Sequence, residues 1–322
     1  MNVFVECDIA ESYEIKTIQD STIEDLEYIK HKGLNRTYRL FVPSRANNKY
    51  KKYPVVINFH GSRGNALQHK KLTRMNKTAE KYGFVVIYPN GTNPFCSTKL
   101  YWNSGFSCSM PNISKVDDVG FILSILQKVS SKIPIDSSRV YATGFSNGAM
   151  MTYKLANDIS MHIAAIAPVA GTMITNNFNP KRKISVMHIH SVDDPVIPFF
   201  VVQKGKKSLF KLKLRYSVFD IIKRWINFNH CPELPITDKI IVMGDSSKRS
   251  NSRLNKQSAV KYRFSCGFNG NEVILWMLFG AGHVWPGGNY SIITTSYYGQ
   301  TTDIINANEE MWNFFKKFSL NQ

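Results

Sequence analysis

Residues 139–158 read RVYATGFSNGAMMTYKLAND, Arg139 to Asp158. A short apolar strand, Arg139 to Thr143, passes through Gly144-Phe145-Ser146-Asn147-Gly148 directly into a helix. A chain that turns this tightly needs small residues on both sides of the bend. The bend lifts Ser146 above the sheet, with a helix N-terminus behind it to stabilise developing negative charge. Gly-x-Ser-x-Gly also occurs by chance in loops, and its place between a buried strand and a helix makes it a nucleophile elbow.

Upstream, TYRLFVP from Thr37 alternates as a strand. PVVINFH, Pro54 to His60, is a continuous apolar run of the kind buried on both faces. It ends in the turn GSRGN, a helix is predicted on to Tyr82 with Gly83 as its stop, and FVVIYP is the next buried strand. Asp117 and Asp118 stand as helix caps before VGFILSILQKV. Downstream, 163–171 and 183–190 read as buried strands, Val218 to Phe228 as a helix, 273–280 as the last strand and Ile304 to Phe318 as a closing helix. This alternation predicts an α/β fold: a mostly parallel sheet with helices on both faces. No repeat, Pro-rich linker or composition break divides the chain, so the expected organisation is an N-terminal extension or edge strands over 1–34 and one catalytic domain over 35–322.

The chain has 322 residues, of which 43% are hydrophobic and 20% charged, a balance that excludes disordered, collagenous and coiled-coil classes. No apolar run reaches the 18 residues of a membrane span. The 41 Lys and Arg exceed the 23 Asp and Glu, giving +18, a charge that suits anionic polymers or surfaces. The basic residues are dispersed, with clusters at Lys49, Lys51 and Lys52 and over 204–215 (KGKKSLFKLKLR). Without aromatic interleaving or a helix-turn-helix pattern, they read as a solvated face, and no nucleic-acid partner is expected. The five cysteines include no C-x-x-C pair. Cys96 and Cys108 flank one polar loop, and Cys231 and Cys266 bracket a stretch of poor periodicity. Each pair can staple a loop in an oxidising compartment, with free buried thiols as the alternative. Residues 1–20 show no apolar signal-peptide core, so either a leader has been removed or the protein is cytoplasmic.

A serine nucleophile needs a neutral histidine and a carboxylate that holds the histidine's tautomer. With a nucleophile elbow the chain order is Ser, then Asp or Glu, then His. HIHSVDDPVIP places Asp193 and Asp194 just beyond a strand end, and spacing alone leaves both open as the acid. GAGHVWPGG places His283 beyond the last strand. The oxyanion hole falls to the N–H of Asn147 and, at the end of the PVVINFH strand, the N–H of Ser62. His188 and His190 share a strand face without a third ligand nearby, so they read as packing that supports the acid loop, and no metal is expected. Trp102, in the cysteine loop, and Trp285, two residues from His283, are candidates either for the core or for a substrate platform.

The set HGSRGN, YPNG, DDVGF, GFSNGAMM, HSVDDPVIP, GAGHVWPGG and TTDIINANEEMWNFF, in order over about residues 36–320, resembles the α/β-hydrolase serine esterases that group poly(3-hydroxybutyrate) depolymerases with feruloyl and acetylxylan esterases. The resemblance implies the α/β-hydrolase fold, with Ser146 as nucleophile, Asp194 as acid and His283 as base. It also implies the pairings Cys96–Cys108 and Cys231–Cys266, and a secreted or periplasmic location. Ser62 stands where a Cys is common and Ser191 replaces a usual Gly. The expectation is a cofactor-free carboxylester hydrolase acting through an acyl-enzyme on short hydroxyacyl esters, polymeric substrates included. Feruloyl or acetylxylan ester hydrolysis is one alternative. A non-catalytic protein that binds anionic polymers on the same fold is another. The oligomeric state stays open.

Overall fold

The computed structural model describes residues 23–44, 46, 51–105, 115–175, 177–200, 216–243, 257–266, 270–289 and 295–320. In chain order the strands are β1 (Ile23–His31), β2 (Leu34–Val42), β3 (Tyr53–Phe59), β4 (Val85–Pro89), β5 (Ile135–Phe145), β6 (Ala165–Val169), β7 (Ser185–Ser191), β8 (Ile236–Met243), β9 (Gln257–Ser265) and β10 (Glu272–Phe279). They form one sheet in the order β1-β2-β4-β3-β5-β6-β7-β10-β9-β8. The centre, β4 through β10, is parallel, and both margins are antiparallel. β1 pairs along its length with β2, so position 34 lies inside a hairpin whose turn is made by Lys32 and Gly33, both at positive φ.

Side chains alternate across a strand, so a continuous apolar run is buried only where both sheet faces are covered. Every residue of β3 is buried. Val55, Ile57 and Phe59 enter one core while Val56 enters the other. β10 divides likewise, with Val273, Leu275 and Met277 on one side and Ile274, Trp276 and Leu278 on the other. The first core is closed by α3 (Asp118–Lys132), α4 (Asn147–Asp158) and α5 (Val218–Asn229). The second is closed by α1 (Ala66–Thr73), α2 (Met75–Tyr82) and α7 (Ala307–Phe315). A short helix, α6 (Thr295–Tyr298), precedes α7. Each fully buried Ile, Leu, Val or Phe side chain stabilises the fold by about 1.5–3 kcal/mol before entropy is counted.

Three local features differ from the sequence reading. The single helix predicted up to Tyr82 is two, because Arg74 adopts φ 51° and its N–H closes the first on Lys70 O. The closing helix is shorter than expected, starting at Ala307 behind its Asn306 cap. The stretch between Cys231 and Cys266 contains the antiparallel pair β8 and β9, which extends the sheet beyond β10. Its half-buried or exposed residues, several of them charged, blur the alternation that marks a strand.

Cys231, after α5, and Cys266, after β9, form a disulfide across 35 residues of sequence. Cys96 is also held in a disulfide. Cys108, its expected partner, lies outside the described residues, as do Cys7 and the basic run 204–215. Among the described residues no helix is long and apolar enough to cross a membrane.

Candidate active site

Parallel strands bring their carboxyl ends to one edge of the sheet, and in open α/β sheets chemistry gathers outside that edge. Here β3 delivers His60 to Ser62, β5 delivers Ser146, β7 delivers Asp194 and β10 delivers His283.

Ser146 sits at φ 56°, ψ −116°, a region L-residues rarely occupy. The surrounding structure holds it there: its N–H donates to Val169 O at 3.0 Å, and α4 begins with the next residue. The flanking glycines are a steric necessity. A Cβ on Gly144 would lie 2.6 Å from the Gly148 backbone, and one on Gly148 would overlap the carbonyl oxygen of Phe59.

His283 Nδ1 is 2.7 Å from Asp194 Oδ2, and both side chains are buried. Asp194 Oδ1 accepts the N–H groups of Val196 and Ile197, each at 2.8 Å. Burial by itself would push the Asp194 carboxyl up. The His283 charge and hydrogen bonds from His190 and His283 outweigh burial and hold it well below the ordinary carboxylate value, so it is an anion that only accepts. Nδ1 of His283 therefore carries the proton, which leaves the Nε2 lone pair able to accept one. Asp193 points elsewhere, its Oδ2 accepting the Gly280 N–H at 2.7 Å. The His283 ring packs on Phe145, the neighbour of Ser146, with centroids 4.6 Å apart. Among the described residues no hydrogen bond joins Ser146 to His283. Such catalytic bonds are often long without substrate and tighten when it binds.

The turn after β3 lies against the elbow, where a Cβ on Gly61 would be 3.5 Å from Ser146 Cβ. His60 braces this turn. Its Nδ1 donates to Gly61 O at 2.8 Å and its Nε2 accepts the Gly91 N–H at 3.0 Å. Burial pushes His60 down to about 4, so the ring is neutral and can do both. Ser62 follows at the exposed end of the turn. Asn147 opens α4 beside Ser146, and its side chain accepts the Trp102 N–H at 2.8 Å and donates to Ser104 Oγ at 3.0 Å. The same segment is anchored from behind by Asp118, which accepts from Asn103 N and from the buried Arg36, each at 2.7 Å.

Both tryptophans are packed in the core rather than presented on an open platform. Trp102 is 1% exposed and Trp285 fully buried. The indole N–H of Trp102 donates to His60 O at 2.9 Å, making it a support for the turn after β3. That of Trp285 donates to Asn308 Oδ1 at 3.1 Å, and its ring meets His69 edge-on. Position in sequence put Trp285 two residues from His283 and Trp102 in the cysteine loop, while packing turned both rings inward.

Sequence reasoning missed Tyr298. Its ring stacks on His283, with centroids 5.9 Å apart and planes 18° from parallel, and its carbonyl accepts the His283 N–H at 2.6 Å. It also packs, with Ile174, against Met150, Val196 and Ile197, a small apolar cluster set apart from the two large cores. The only trace in the sequence is the Tyr297–Tyr298 pair, which carries no periodicity. Among the described residues no group of three His, Cys, Asp or Glu side chains could hold a metal ion.

The family described as Esterase PHB depolymerase matches residues 36–203. The bifunctional acetylxylan esterase/xylanase XynS20E of Neocallimastix patriciarum is 28% identical over 187 residues, 58% of this chain and 25% of that protein. Feruloyl esterase B of Piromyces equi is 26% identical over 191 residues, 56% of this chain and 33% of that protein. The chain thus spans a third or less of the length of these two relatives. Among solved structures, an acetyl xylan esterase from Aspergillus awamori superimposes with a TM-score of 0.54 at 16% identity, over 85% of this chain and 99% of that one. That likeness shows a shared α/β-hydrolase fold.

Proposed function

We propose, for a chain that belongs to the esterase PHB depolymerase family, the hydrolysis of carboxylic esters through a Ser146 acyl-enzyme. The observation that carries this reading is the buried 2.7 Å bond between Asp194 and His283, at the sheet edge where the strained Ser146 turn stands.

In the proposed cycle His283 Nε2 takes the Ser146 proton as Oγ attacks the ester carbonyl. The oxyanion forms against the N–H groups of Asn147 and Ser62, at the start of a helix whose dipole favours it. Asp194 stabilises the imidazolium. His283 then protonates the departing alcohol, and water repeats the sequence to release the acid.

The favoured substrates are short-acyl esters: among the described residues the apolar cluster beside the triad, Met150, Val196 and Ile197, is buried and offers little surface to a long acyl chain. Hydroxyacyl oligomers are the first reading, after the family. Acetyl or feruloyl esters of polysaccharide are the second, favoured by relatives named for those activities. The Cys231–Cys266 disulfide supports an oxidising location, secreted or periplasmic.

A fluorophosphonate probe should label the wild-type protein and leave Ser146→Ala unlabelled. Labelling of that variant, or none of the wild type, would favour the non-catalytic binding protein instead. A kcat/KM screen across hydroxybutyrate oligomers, feruloyl esters, acetylated xylan and a series of acyl lengths then ranks the substrates. Efficiency rising steadily to acyl chains of about twelve carbons would overturn the short-acyl reading.

A further inference from the structure

Behind Asp194 runs a chain of polar side chains that the ester mechanism does not use. Tyr153 on α4 places its hydroxyl 2.8 Å from His188 Nδ1. His188 Nε2 is 2.9 Å from His190 Nδ1. His190 Nε2 lies 2.9 Å from Ile197 O and 3.3 Å from Asp194 Oδ2. Tyr153, His188 and His190 are all buried. Burying three polar groups costs free energy unless each is hydrogen-bonded, and apolar residues would fill the same volume at lower cost. Such a chain needs a reason, and the one end of it that meets reacting groups is Asp194.

The acceptors set the direction. His190 Nε2 faces two oxygens that can only accept, a carbonyl and a carboxylate, so it carries a proton. Nδ1 of His190 then accepts from His188 Nε2–H, and His188 Nδ1 accepts from the Tyr153 hydroxyl. Burial pushes His188 well below its ordinary value and pushes the Tyr153 hydroxyl well above its own, which keeps the first neutral and the second a donor. The groups facing the pair are Asp194 from the acid loop, Tyr153 from α4 and the ring of Phe199. Asp194 Oδ2 therefore receives the His283 N–H and is faced at 3.3 Å by His190 Nε2, whose N–H also reaches Ile197 O at 2.9 Å.

We propose that His190 is a positioning residue for the hydrolysis, its Nε2–H fixing the Asp194 oxygen that orients His283, with His188 and Tyr153 fixing the tautomer of His190. The inference rests on the ester-hydrolase reading for its kinetic readout only.

Three variants test it: His190→Phe removes the donor, His190→Gln offers a carboxamide N–H toward Asp194, and Tyr153→Phe removes the far end of the chain at nearly constant volume. The first readout needs no substrate. The low-field NMR resonance of the His283 Nδ1–H···Oδ2 proton should shift or disappear in H190F, persist in H190Q, and move less in Y153F. In kinetics H190F should lose roughly 10- to 100-fold in kcat, as when an outer-shell partner of a functional histidine is removed, with KM nearly unchanged, and H190Q should recover most of it. An unmoved resonance with kcat within about twofold of wild type in H190F overturns the proposal. So does H190Q proving as damaging as H190F, since packing rather than the donor would then matter. If H190F does not fold, the resonance in H190Q and Y153F decides: unmoved in Y153F or lost in H190Q, the proposal fails. If no ester is turned over, the resonance decides alone.

Discussion

Replacing Asp194 by Asn changes one atom, and the hydrogen bonds around the carboxylate dictate which. Oδ1 accepts the N–H groups of Val196 and Ile197 at 2.8 Å each, so the amide oxygen must stay there. The new NH2 falls at the Oδ2 position, facing His283 Nδ1 at 2.7 Å and His190 Nε2 at 3.3 Å. Both nitrogens carry a proton toward that position in the wild type, so N–H meets N–H. His283 can escape only by moving its proton to Nε2, which removes the base that Ser146 needs. A wrong tautomer in a Ser-His-Asp site costs about 10⁴-fold in kcat, or about 5.5 kcal/mol of transition-state stabilisation. Asp193→Asn is the matched control, because among the described residues Asp193 Oδ2 accepts from the Gly280 N–H at the strand end, a bond an amide oxygen retains. Its turnover should stay within a few-fold of wild type. The assay is kcat and kcat/KM on an activated short-acyl ester, with thermal melts to show that both variants are folded. Folded D194N within tenfold of wild type, or D193N losing as much, would refute the assignment of the acid.

Acidification should destabilise the fold before it protonates Asp194. His60, at about 4, and His69 and His188, well below the ordinary value, stay neutral by burial in the native state, whereas unfolded histidines take up a proton near pH 6.5. Stability is therefore complete above about pH 6.5 and falls toward pH 4, by on the order of 3 kcal/mol from His60 alone. Urea midpoints that do not change between pH 7 and pH 5 would contradict this. Removing the Cys231–Cys266 disulfide by the double Ser variant should cost roughly 4 kcal/mol in the loop-entropy model, given its separation of 35 residues, and an unaltered urea midpoint would show that it contributes nothing. Trp102→Phe deletes the indole bond to His60 O; we expect about 1–3 kcal/mol of lost stability and a fall in kcat rather than a rise in KM, whereas a rise in KM alone would restore Trp102 as a substrate contact.

Chemistry that depends on neighbours in the chain was legible without coordinates. The runs Pro54–His60, Phe84–Pro89 and 183–190 announce buried parallel strands because nothing but cover on both faces suits them. Gly144 and Gly148 mark the elbow because any side chain there would strike backbone, a constraint written into the residue type itself. The chain order Ser146, Asp194, His283 follows from which loops leave the carboxyl ends of parallel strands. Only the tertiary structure decided what each side chain faces. It turned Trp102 and Trp285 inward, brought Asp194 and not Asp193 to His283, stacked Tyr298 on the imidazole, and lined up Tyr153, His188 and His190 behind the acid. It also found strands in the charged stretch before Cys266. The physical reason is common to all of these. Burial and hydrogen-bond partners are supplied by segments 15 to 89 residues away, and a side chain's sequence neighbours carry no record of them.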